Sequence, residues 1–388
     1  MSIGPCPLTV VWDDRYRQYD FGPGHPFSET SRYLSVRLLE SLGFFSGPKD
    51  LAPRHLDQVE VATDPELLRF HEASYVELVR SVGAQRRPGM LDQGDTPGFP
   101  HCHEAAARIA KGTLVGLQRV LDLPGSHAFN PGGGLHHARP GRASGFCIYD
   151  DVALAIRSAL DGPGRVARVA YVDIDAHHGD GVMYGFYEDG RVLDIDFHQD
   201  GRTLFPGTGF TQETGKGDGQ GLKVNVPLPP TAGDPAFLPL FDRIVPPLLR
   251  EFRPELIVLQ TGVDAHAGDP LAHLQYTPRA YDHAISTLHG LSHELCGGRL
   301  LETGGGGYLA SNVSRVLARA AGILSGRPFG TDPSAPLPTT WREEFERETE
   351  DEAPSTWGEV PPIYPSSWKD EHGAKLLSAL SSELGRKL

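Results

Sequence analysis

The stretch Tyr171-Val-Asp-Ile-Asp-Ala-His-His-Gly-Asp180 decides how this chain can fold. Small and β-branched residues over 168–174 predict a buried strand, which the following glycines end. Asp173, Asp175 and His177 are spaced by two, so they face one side of the strand and its exit. Burying two carboxylates and an imidazole requires a partner, and the pattern predicts a divalent cation bound by Asp175 and His177, with a position open to water. Functional sites of α/β proteins lie at such strand ends, which favours this interpretation over a polar loop.

The composition narrows the class of protein. The 388 residues can form one large α/β domain or two ordinary ones, and the apolar fraction of 39% permits a sizeable core. Acidic residues outnumber basic ones by 50 to 36, the net charge is -14, and no run is rich in Lys or Arg. Nucleic acid and anionic membranes are therefore not expected as partners, whereas a cationic substrate would be attracted.

The four cysteines (Cys6, Cys102, Cys147 and Cys296) are far apart and form no Cys-x-x-Cys motif. Their spacing argues against a disulfide scaffold and against a thiolate zinc site, and it suits a reducing compartment. The first seven residues lack a basic and an apolar region, and the chain has no apolar run of 18 residues. We therefore expect a cytoplasmic protein without a membrane span.

Predicted strands and helices alternate along most of the chain. The strands are expected at 8–12, 59–62, 126–130, 168–174, 191–197, 222–228, 255–260 and 299–302. The longer helices are expected at 32–42, 75–82, 103–121, 151–160, 236–250, 281–295, 312–324 and 372–384. After residue 325 the chain becomes rich in proline and acid, which predicts a domain over 1–325 and an extension over 326–388 that packs on it or trails from it.

Polar side chains follow three other predicted strands. His136 and His137 come after a glycine triplet, where catalysis is favoured over a chance surface pair. Asp264 lies just past the apolar strand at 255–260, where a third metal ligand would be supplied. Four glycines after the last strand present Tyr308.

Other polar residues are assigned to structural roles by local sequence. Asp95 lies in a loop rich in glycine and proline over 85–100, which indicates a solvated turn aspartate. His101 and His103 precede a helix, and no acid or further histidine is expected to pair with them locally, which favours helix-terminus roles over metal binding. The glycine-rich loops form neither Gly-x-Gly-x-x-Gly nor a phosphate loop, so nucleotide binding has no support.

Seven motifs, taken in order, strongly resemble those of the zinc-dependent histone deacetylase superfamily, and above all its bacterial class I-like branch, the acetoin utilisation proteins. They are Gly24-His-Pro26, Gly-Leu-His136-His137-Ala, Ser-Gly-Phe146-Cys, Asp173-Ile-Asp175-Ala-His177-His-Gly-Asp180-Gly, Phe205-Pro-Gly-Thr-Gly, Gly-Val-Asp264 and Gly-Gly-Gly-Gly-Tyr308. The resemblance extends from about residue 8 to residue 324. It implies an α/β fold in which one eight-stranded parallel sheet is flanked by helices, as in arginases and deacetylases, with the active site at the carboxyl ends of the strands.

The resemblance also implies roles for individual residues. Asp175, His177 and Asp264 would bind zinc, or ferrous iron in the cell. His136 and His137 would be hydrogen-bonded to Asp173 and Asp180, an arrangement expected to favour the charged form of each ring. Of the pair, His137 would move the proton and His136 would supply charge. Tyr308 would polarise the acetyl carbonyl opposite the metal.

The substrate would meet a narrow tunnel. The residues implied to bind it are Asp95, Gly145, Phe146, Phe205, Leu271 and Gly306. Phe146 and Phe205 would clasp the lysine methylenes, and Asp95 would grip backbone amides of the substrate, which replaces its assignment as a turn residue.

A structural site for K⁺ or Na⁺ is the one place where the chain departs from the family pattern. Its implied ligands are Asp173, Asp175, His177, Asp196 and Phe197. The family commonly has serine where this chain has Asp196, so its carboxylate would either bind the monovalent cation more strongly or replace it.

The implied activity is zinc-dependent hydrolysis of the ε-amide of acetyl-lysine in proteins or peptides, giving acetate and free lysine. An acyl-CoA synthetase is the substrate that the acetoin utilisation branch suggests. Two alternatives stay open, a deacetylase of acetylated polyamines or other small amides, and an inactive acyl-lysine binding module. An arginase-like enzyme with two metals is disfavoured, because its Asp-Ala-His-x-Asp motif would need an acid at Gly179.

Overall fold

The centre of the protein is a sheet of eight parallel strands, as the resemblance implied. The computed structural model describes residues 6–47, 52–85, 89–92, 94–162, 164–358, 368 and 370–388. The strands are β1 (Leu8–Val11), β2 (Arg54–Leu56), β3 (His127–Asn130), β4 (Val169–Asp173), β5 (Val192–Gln199), β6 (Lys223–Leu228), β7 (Leu256–Gln260) and β8 (Leu300–Thr303). Their order across the sheet is β2-β1-β3-β8-β7-β4-β5-β6.

Helices connect the strands and cover the sheet. They are α1 (Thr30–Ser41), α2 (Asp64–Leu67), α3 (Ala73–Gly83), α4 (Cys102–Asp122), α5 (Asp151–Asp161), α6 (Asp180–Gly185), α7 (Asp234–Phe252), α8 (Pro278–Leu295), α9 (Ala310–Leu324), α10 (Thr339–Thr349) and α11 (Asp370–Glu383). Small residues let α4 approach the sheet closely, since a Cβ at Gly116 would lie 3.3 Å from that of Ala128 in β3. Within the described parts of the chain, no helix is both long and apolar enough to cross a membrane.

The strand order brings four of the sequence motifs together. The strands before the His pair, Asp264, Tyr308 and the Asp/His stretch are β3, β7, β8 and β4, and they are adjacent as β3-β8-β7-β4. Because all strands run in the same direction, the loops that follow them emerge at one edge of the sheet, which we call the carboxyl edge. The opposite edge, where the strands begin, is the amino edge. Every residue of β3, β4, β7 and β8 is buried.

The strand expected at 59–62 is wrong, because the second strand lies earlier, at β2. The backbone N–H of Val59 donates to Asp13 Oδ2 at 2.8 Å, and its carbonyl accepts from Arg15 and Arg108. Side chains therefore form the hydrogen bonds with the Val59 backbone N–H and carbonyl that a neighbouring strand would otherwise form. The apolar pattern of this segment reflects burial of Val59 and Ala62 without a sheet partner.

The extension contains a helix, α10, that was not predicted from the sequence. The acidic run falls largely within α10, whose Trp341 and Phe345 lie one turn apart and are buried. Trp341 Nε1 donates to the carbonyl of Leu34 in α1 at 2.8 Å. Part of the extension, at 359–367 and 369, falls outside the described residues, and the domain boundary at residue 325 stays a prediction.

Candidate active site

Three polar side chains meet at the carboxyl edge and form what we call the carboxyl-edge cluster. Asp175 and His177 follow β4, and Asp264 follows the neighbouring β7. All three are buried, and their ligand atoms lie within 4.8 Å of one another. His177 Nδ1 is 2.8 Å from Asp264 Oδ2 and 3.3 Å from Asp175 Oδ1. The fold thus brings together the three residues that the sequence reading proposed as metal ligands.

Backbone groups fix the two carboxylates of this cluster. Asp175 Oδ2 accepts from the N–H of Gly306 at 2.7 Å, and Asp264 Oδ1 accepts from the N–H of Ala176 at 2.7 Å. A Cβ at Gly306 would lie 1.9 Å from Asp264 Oδ2, so only glycine can pass here. The remaining carboxylate oxygens point toward His177 and are oriented before any ligand arrives.

The charge of the cluster fits a cation. Burial lowers the pKa of His177, but the nearby charges of Asp264 and Asp175 outweigh it and raise that pKa to about 10. The salt bridges of these two aspartates in the described structure are with histidines, and none is with Lys or Arg. Two buried carboxylates that attract a proton onto His177 would attract a divalent cation in its place, bound by nitrogen and oxygen.

The two histidines after β3 form two parallel hydrogen-bonded pairs with acids. His136 Nδ1 donates to Asp173 Oδ2 at 2.8 Å, and His137 Nδ1 donates to Asp180 Oδ1 at 2.7 Å. The two Nε2 atoms are 3.1 Å apart. Arg139 donates to the second oxygen of Asp180. Both rings are therefore held with Nε2 turned away from the acids, in the pairing that the resemblance implied.

The environment separates the pKa values of the two rings. Burial alone would lower the pKa of His136, but the charges of Asp173 and Asp175 raise it well above its usual value. Burial and the neighbouring charge of His136 lower the pKa of His137 to about 4, although its bond to Asp180 opposes this. The expectation that both pairings favour a charged ring is therefore wrong for His137, because desolvation and like charge outweigh one hydrogen bond.

Tyr308 faces the carboxyl-edge cluster from the neighbouring β8. Its ring centroid lies 6.2 Å from that of Phe146, and burial together with the charges of Asp264 and Asp175 keeps its pKa well above the usual value. The hydroxyl therefore stays protonated and can donate. A cavity of about 20 Å³, enough for one water molecule, is lined by Phe27, Gly134, Leu135, His136, His137, Gly145, Cys147, Asp175, His177, Asp264, Gly305, Gly306 and Tyr308.

Asp269 supports Tyr308 and was not identified from the sequence. Its Oδ2 accepts from the N–H of Tyr308 at 2.8 Å, and its Oδ1 accepts from that of Leu271 at 2.9 Å. Burial and the charge of Asp264 raise the pKa of Asp269 to about 7. The only local signal is Gly268-Asp269-Pro270, which indicates a turn and nothing more. Leu271, a predicted tunnel residue, is half-buried and joins the site through this backbone contact.

Aromatic rings border the path from the cavity to solvent. The ring of Phe205 is 41% exposed, and its centroid lies 5.0 Å from that of His137. A Cβ at Gly145 would lie 2.4 Å from His137 Cδ2, and the backbone there has φ +54°, so glycine is required. The ring of Phe146 packs against that of Phe27, with centroids 6.4 Å apart. Phe27 also lines the cavity but belongs to no motif that the sequence analysis used.

Asp95 is fixed at the same loop. Its Oδ1 accepts from the N–H of Gly145 at 3.2 Å and from the hydroxyl of Thr96 at 3.0 Å. The N–H of Phe146 donates in turn to Thr96 Oγ1 at 3.1 Å. Asp95 therefore links its own loop to the loop that carries Phe146, which a freely solvated turn residue would not do.

Asp196, the residue that departs from the family pattern, is fully engaged. Its Oδ2 accepts from the N–H of Gly179 at 2.7 Å, and its Oδ1 accepts from His198 Nδ1 at 2.6 Å. Burial lowers the pKa of His198, but the charge of Asp196 raises it above the usual value. The ring of Phe197 packs 5.3 Å from that of Phe237, so only its backbone can face a cation site.

His101 and His103, at the start of α4, lie apart from the carboxyl-edge cluster. His101 is exposed at the start of the helix, and His103 Nδ1 is 2.9 Å from the hydroxyl of Tyr149. Neither belongs to a group of possible metal ligands among the described residues. Their positions agree with helix-terminus roles.

Comparison with known proteins relates this arrangement to one family. Residues 25–324 match the model of the histone deacetylase domain. The chain is 37% identical over 363 residues to the acetoin utilization protein AcuC of Bacillus subtilis, covering 92% of this chain and 91% of that protein. It is 34% identical over 360 residues to AcuC of Staphylococcus aureus (strain MSSA476), covering 90% and 89%, and 33% identical over 357 residues to AcuC of Staphylococcus xylosus, covering 90% of each.

Proposed function

Because the chain belongs to the histone deacetylase family and is a hydrolase of acetylated amides, we propose that it removes the acetyl group from acetyl-lysine side chains of proteins, with zinc as its metal. The observation that carries this proposal is the meeting of three possible metal ligands, a histidine pair of unequal pKa and one tyrosine around a cavity large enough for one water. Each group suits one requirement of amide hydrolysis.

The metal would be held by Asp175, His177 and Asp264, whose donor set of two oxygens and one nitrogen leaves room for water and substrate. When bound, zinc supplies a Lewis acid that polarises the amide carbonyl and makes a water more acidic. Ferrous iron accepts the same ligands, so the choice between the two metals is open to a direct test.

The two histidines would divide the proton chemistry. His137 is the ring that is neutral near pH 7, so it would take the proton of the attacking water at Nε2. It would then give this proton to the lysine nitrogen as the carbon–nitrogen bond breaks. His136 stays charged beside Asp173. It would stabilise the negative charge that develops on the two oxygens bound to the former carbonyl carbon. The products are acetate and free lysine.

Tyr308 would complete the stabilisation of the oxyanion. Its protonated hydroxyl would donate to the former carbonyl oxygen, and Asp269 would hold its backbone in position. Gly306 lets the chain pass against Asp264 so that Tyr308 can reach the cavity.

A lysine side chain in a protein suits the approach to this site. Phe146 and Phe205 are aromatic surfaces against which four methylenes can pack, and Gly145 leaves space between Phe205 and His137. Leu271 would add to the entrance, since its backbone is tied to Asp269. Asp95, fixed by Gly145, would accept hydrogen bonds from backbone amides of the substrate.

The proposed monovalent cation would lie near the acids of β4 and β5. Asp173, Asp175, His177, Asp196 and Phe197 would form this site, and K⁺ or Na⁺ would share the Asp196 carboxylate with Gly179 and His198. Because the ring of His198 already donates to Asp196, whose charge raises its pKa, we expect a weak dependence of activity on KCl between about 10 and about 200 mM. A steep requirement for K⁺ would contradict this expectation.

The test is acetate release by the purified, zinc-loaded protein, with an acetyl-lysine peptide and N-acetylspermidine compared at equal concentration. A higher kcat/KM for the peptide supports the proposal. A higher value for the polyamine supports the small-amide alternative with unchanged chemistry. Repeating the peptide assay after loading with ferrous iron identifies the metal that supports the higher rate.

A further inference from the structure

A second group of metal-binding side chains lies at the amino edge, and we call it the amino-edge cluster. Cys6 precedes β1, His127 begins β3, and His289 and His293 are one turn apart on α8. Parallel strands place these residues at the end of the sheet opposite the carboxyl-edge cluster. The resemblance and the proposed mechanism assign no role to any of the four.

The distances within this cluster match those of a tetrahedral site. Cys6 Sγ lies 3.4 Å from His293 Nε2 and 3.5 Å from His289 Nε2, and His293 Nε2 lies 3.2 Å from His127 Nε2. All four ligand atoms lie within 4.8 Å of one another. Zinc bonds of about 2.1 Å to nitrogen and about 2.3 Å to sulfur put two nitrogens about 3.4 Å apart and nitrogen and sulfur about 3.6 Å apart. Three of the six distances between the ligand atoms thus already approximate edges of one zinc tetrahedron.

The surroundings leave the three rings available as ligands. No carboxylate belongs to this cluster, so nothing within it competes for the rings by charging them. Neutral imidazole is the form that binds a metal. A thiolate at Cys6 would balance one of the two charges of the cation.

We propose that Cys6, His127, His289 and His293 bind one structural Zn²⁺ at the amino edge. Four protein ligands close the coordination shell, so this site performs no chemistry of its own. It would fasten the segment before β1 to the start of β3 and to the end of α8. The spacing of the cysteines in the sequence predicted no thiolate zinc site, because all the other ligands are histidines and lie more than a hundred residues away.

Cobalt distinguishes this site from the carboxyl-edge cluster. A thiolate bound to Co²⁺ gives a charge-transfer band in the near ultraviolet, whereas the carboxyl-edge cluster offers only nitrogen and oxygen. We therefore expect the full-length protein, produced in medium with Co²⁺ as the added metal, to contain two cobalt ions per chain and to show the band. One ion per chain without the band would overturn the proposal.

Three variants complete this test. Cys6→Ser should lose the band and one ion, whereas Cys296→Ser, which changes a cysteine outside the cluster, should keep both. Asp175→Asn should lose the other ion and keep the band, and this holds even if Cys6→Ser does not fold. A band that disappears in Asp175→Asn and persists in Cys6→Ser would contradict the assignment. Deacetylation by folded Cys6→Ser within about twofold of wild type separates this proposal from the proposed function.

Discussion

Both edges of the sheet carry clustered histidines, but only those at the carboxyl edge lie beside aspartates. At the carboxyl edge, His136 and His177 contact aspartates, and their pKa values are raised. At the amino edge, His127 and His289 face other rings and a thiol, and their pKa values are lowered. Both groups are buried to a similar extent, so burial alone does not decide the charge of a ring.

This contrast explains why the two sites suit different tasks. The aspartates at the carboxyl edge supply negative charge for a cation and would leave some of its coordination positions open to water and substrate, which hydrolysis needs. Rings and a thiol at the amino edge would surround a cation completely, which stabilises a fold and excludes water. His137 is the exception that makes the first site work, because it has an acid partner and is nevertheless neutral.

The largest expected effect tests whether the edges act independently. Asp264→Asn removes a carboxylate from the carboxyl-edge cluster, and we expect kcat/KM to fall on the order of 10³-fold or more. The variant should lose several kcal/mol of charge stabilisation in the transition state, and each loss of about 1.4 kcal/mol lowers the rate tenfold. Steady-state kinetics and metal analysis by mass spectrometry measure it. The amino-edge metal should remain, and its loss in Asp264→Asn would show that the two edges are coupled.

Tyr308→Phe removes one donor and leaves every proposed ligand in place. We expect kcat to fall by roughly 10²–10³, the usual effect of losing one oxyanion donor. KM and metal content should change little, because the ring still packs beside Phe146. Asp269→Asn serves as a matched control, because it acts through the backbone N–H groups of Tyr308 and Leu271, and it should cost less. Full activity in Tyr308→Phe would refute the assignment of the site.

His71 sharpens the rule that a buried ring without an acid stays neutral. Its Nδ1 donates to the carbonyl of Arg139 at 3.1 Å, its Nε2 accepts from the N–H of Asp150 at 3.0 Å, and burial lowers its pKa to about 4. Unfolding lets the ring take up a proton below pH about 6.5, so its share of the stability is present above that pH and is lost toward pH 4.

The measurement is urea unfolding at pH 7.5 and 5.5 for wild type and His71→Gln. Glutamine can keep both hydrogen bonds but does not titrate. Wild type should lose about 1.3 kcal/mol more than the variant between these pH values, from about 1.4 kcal/mol per unit of pKa difference. Equal pH dependence of the two proteins would mean that folding does not change the pKa of His71.

The smallest expected effect concerns the substrate at the carboxyl edge. Asp95→Ala should raise KM for an acetyl-lysine peptide about tenfold, the equivalent of one hydrogen bond to a charged group. The KM for N-acetylspermidine, which has no peptide backbone, should not change. Equal losses with both substrates would mean that Asp95 acts only by holding the loop of Gly145 and Phe146.

Local sequence was enough for most of the fold. The strands β4 and β7 have nearly continuous apolar runs, and the small residues of α4 indicate its close approach to the sheet. The strand expected at 59–62 failed because Asp13, Arg15 and Arg108 are distant in sequence and occupy its backbone groups. The helix α10 was overlooked because acids conceal the apolar pair Trp341 and Phe345.

The site was predictable where its residues follow strands in recognisable motifs, and less so elsewhere. Asp175, His177 and Asp264 come together because β4 and β7 are neighbours, which alternating strands suggest but do not specify. The low pKa of His137 depends on a charged neighbour and on desolvation, neither of which a motif contains. Asp269 and the amino-edge cluster consist of residues that only the folded chain brings together.

Acetate release from an acetyl-lysine peptide tests most directly whether the carboxyl edge is catalytic and the amino edge only structural. It should be measured on wild type, Asp264→Asn and Cys6→Ser, with the metal content of each sample determined in parallel. We predict rates within about twofold for wild type and folded Cys6→Ser, and a rate lower on the order of 10³-fold or more for Asp264→Asn. Activity near that of wild type in Asp264→Asn, or activity lost with the amino-edge metal alone, would contradict the account.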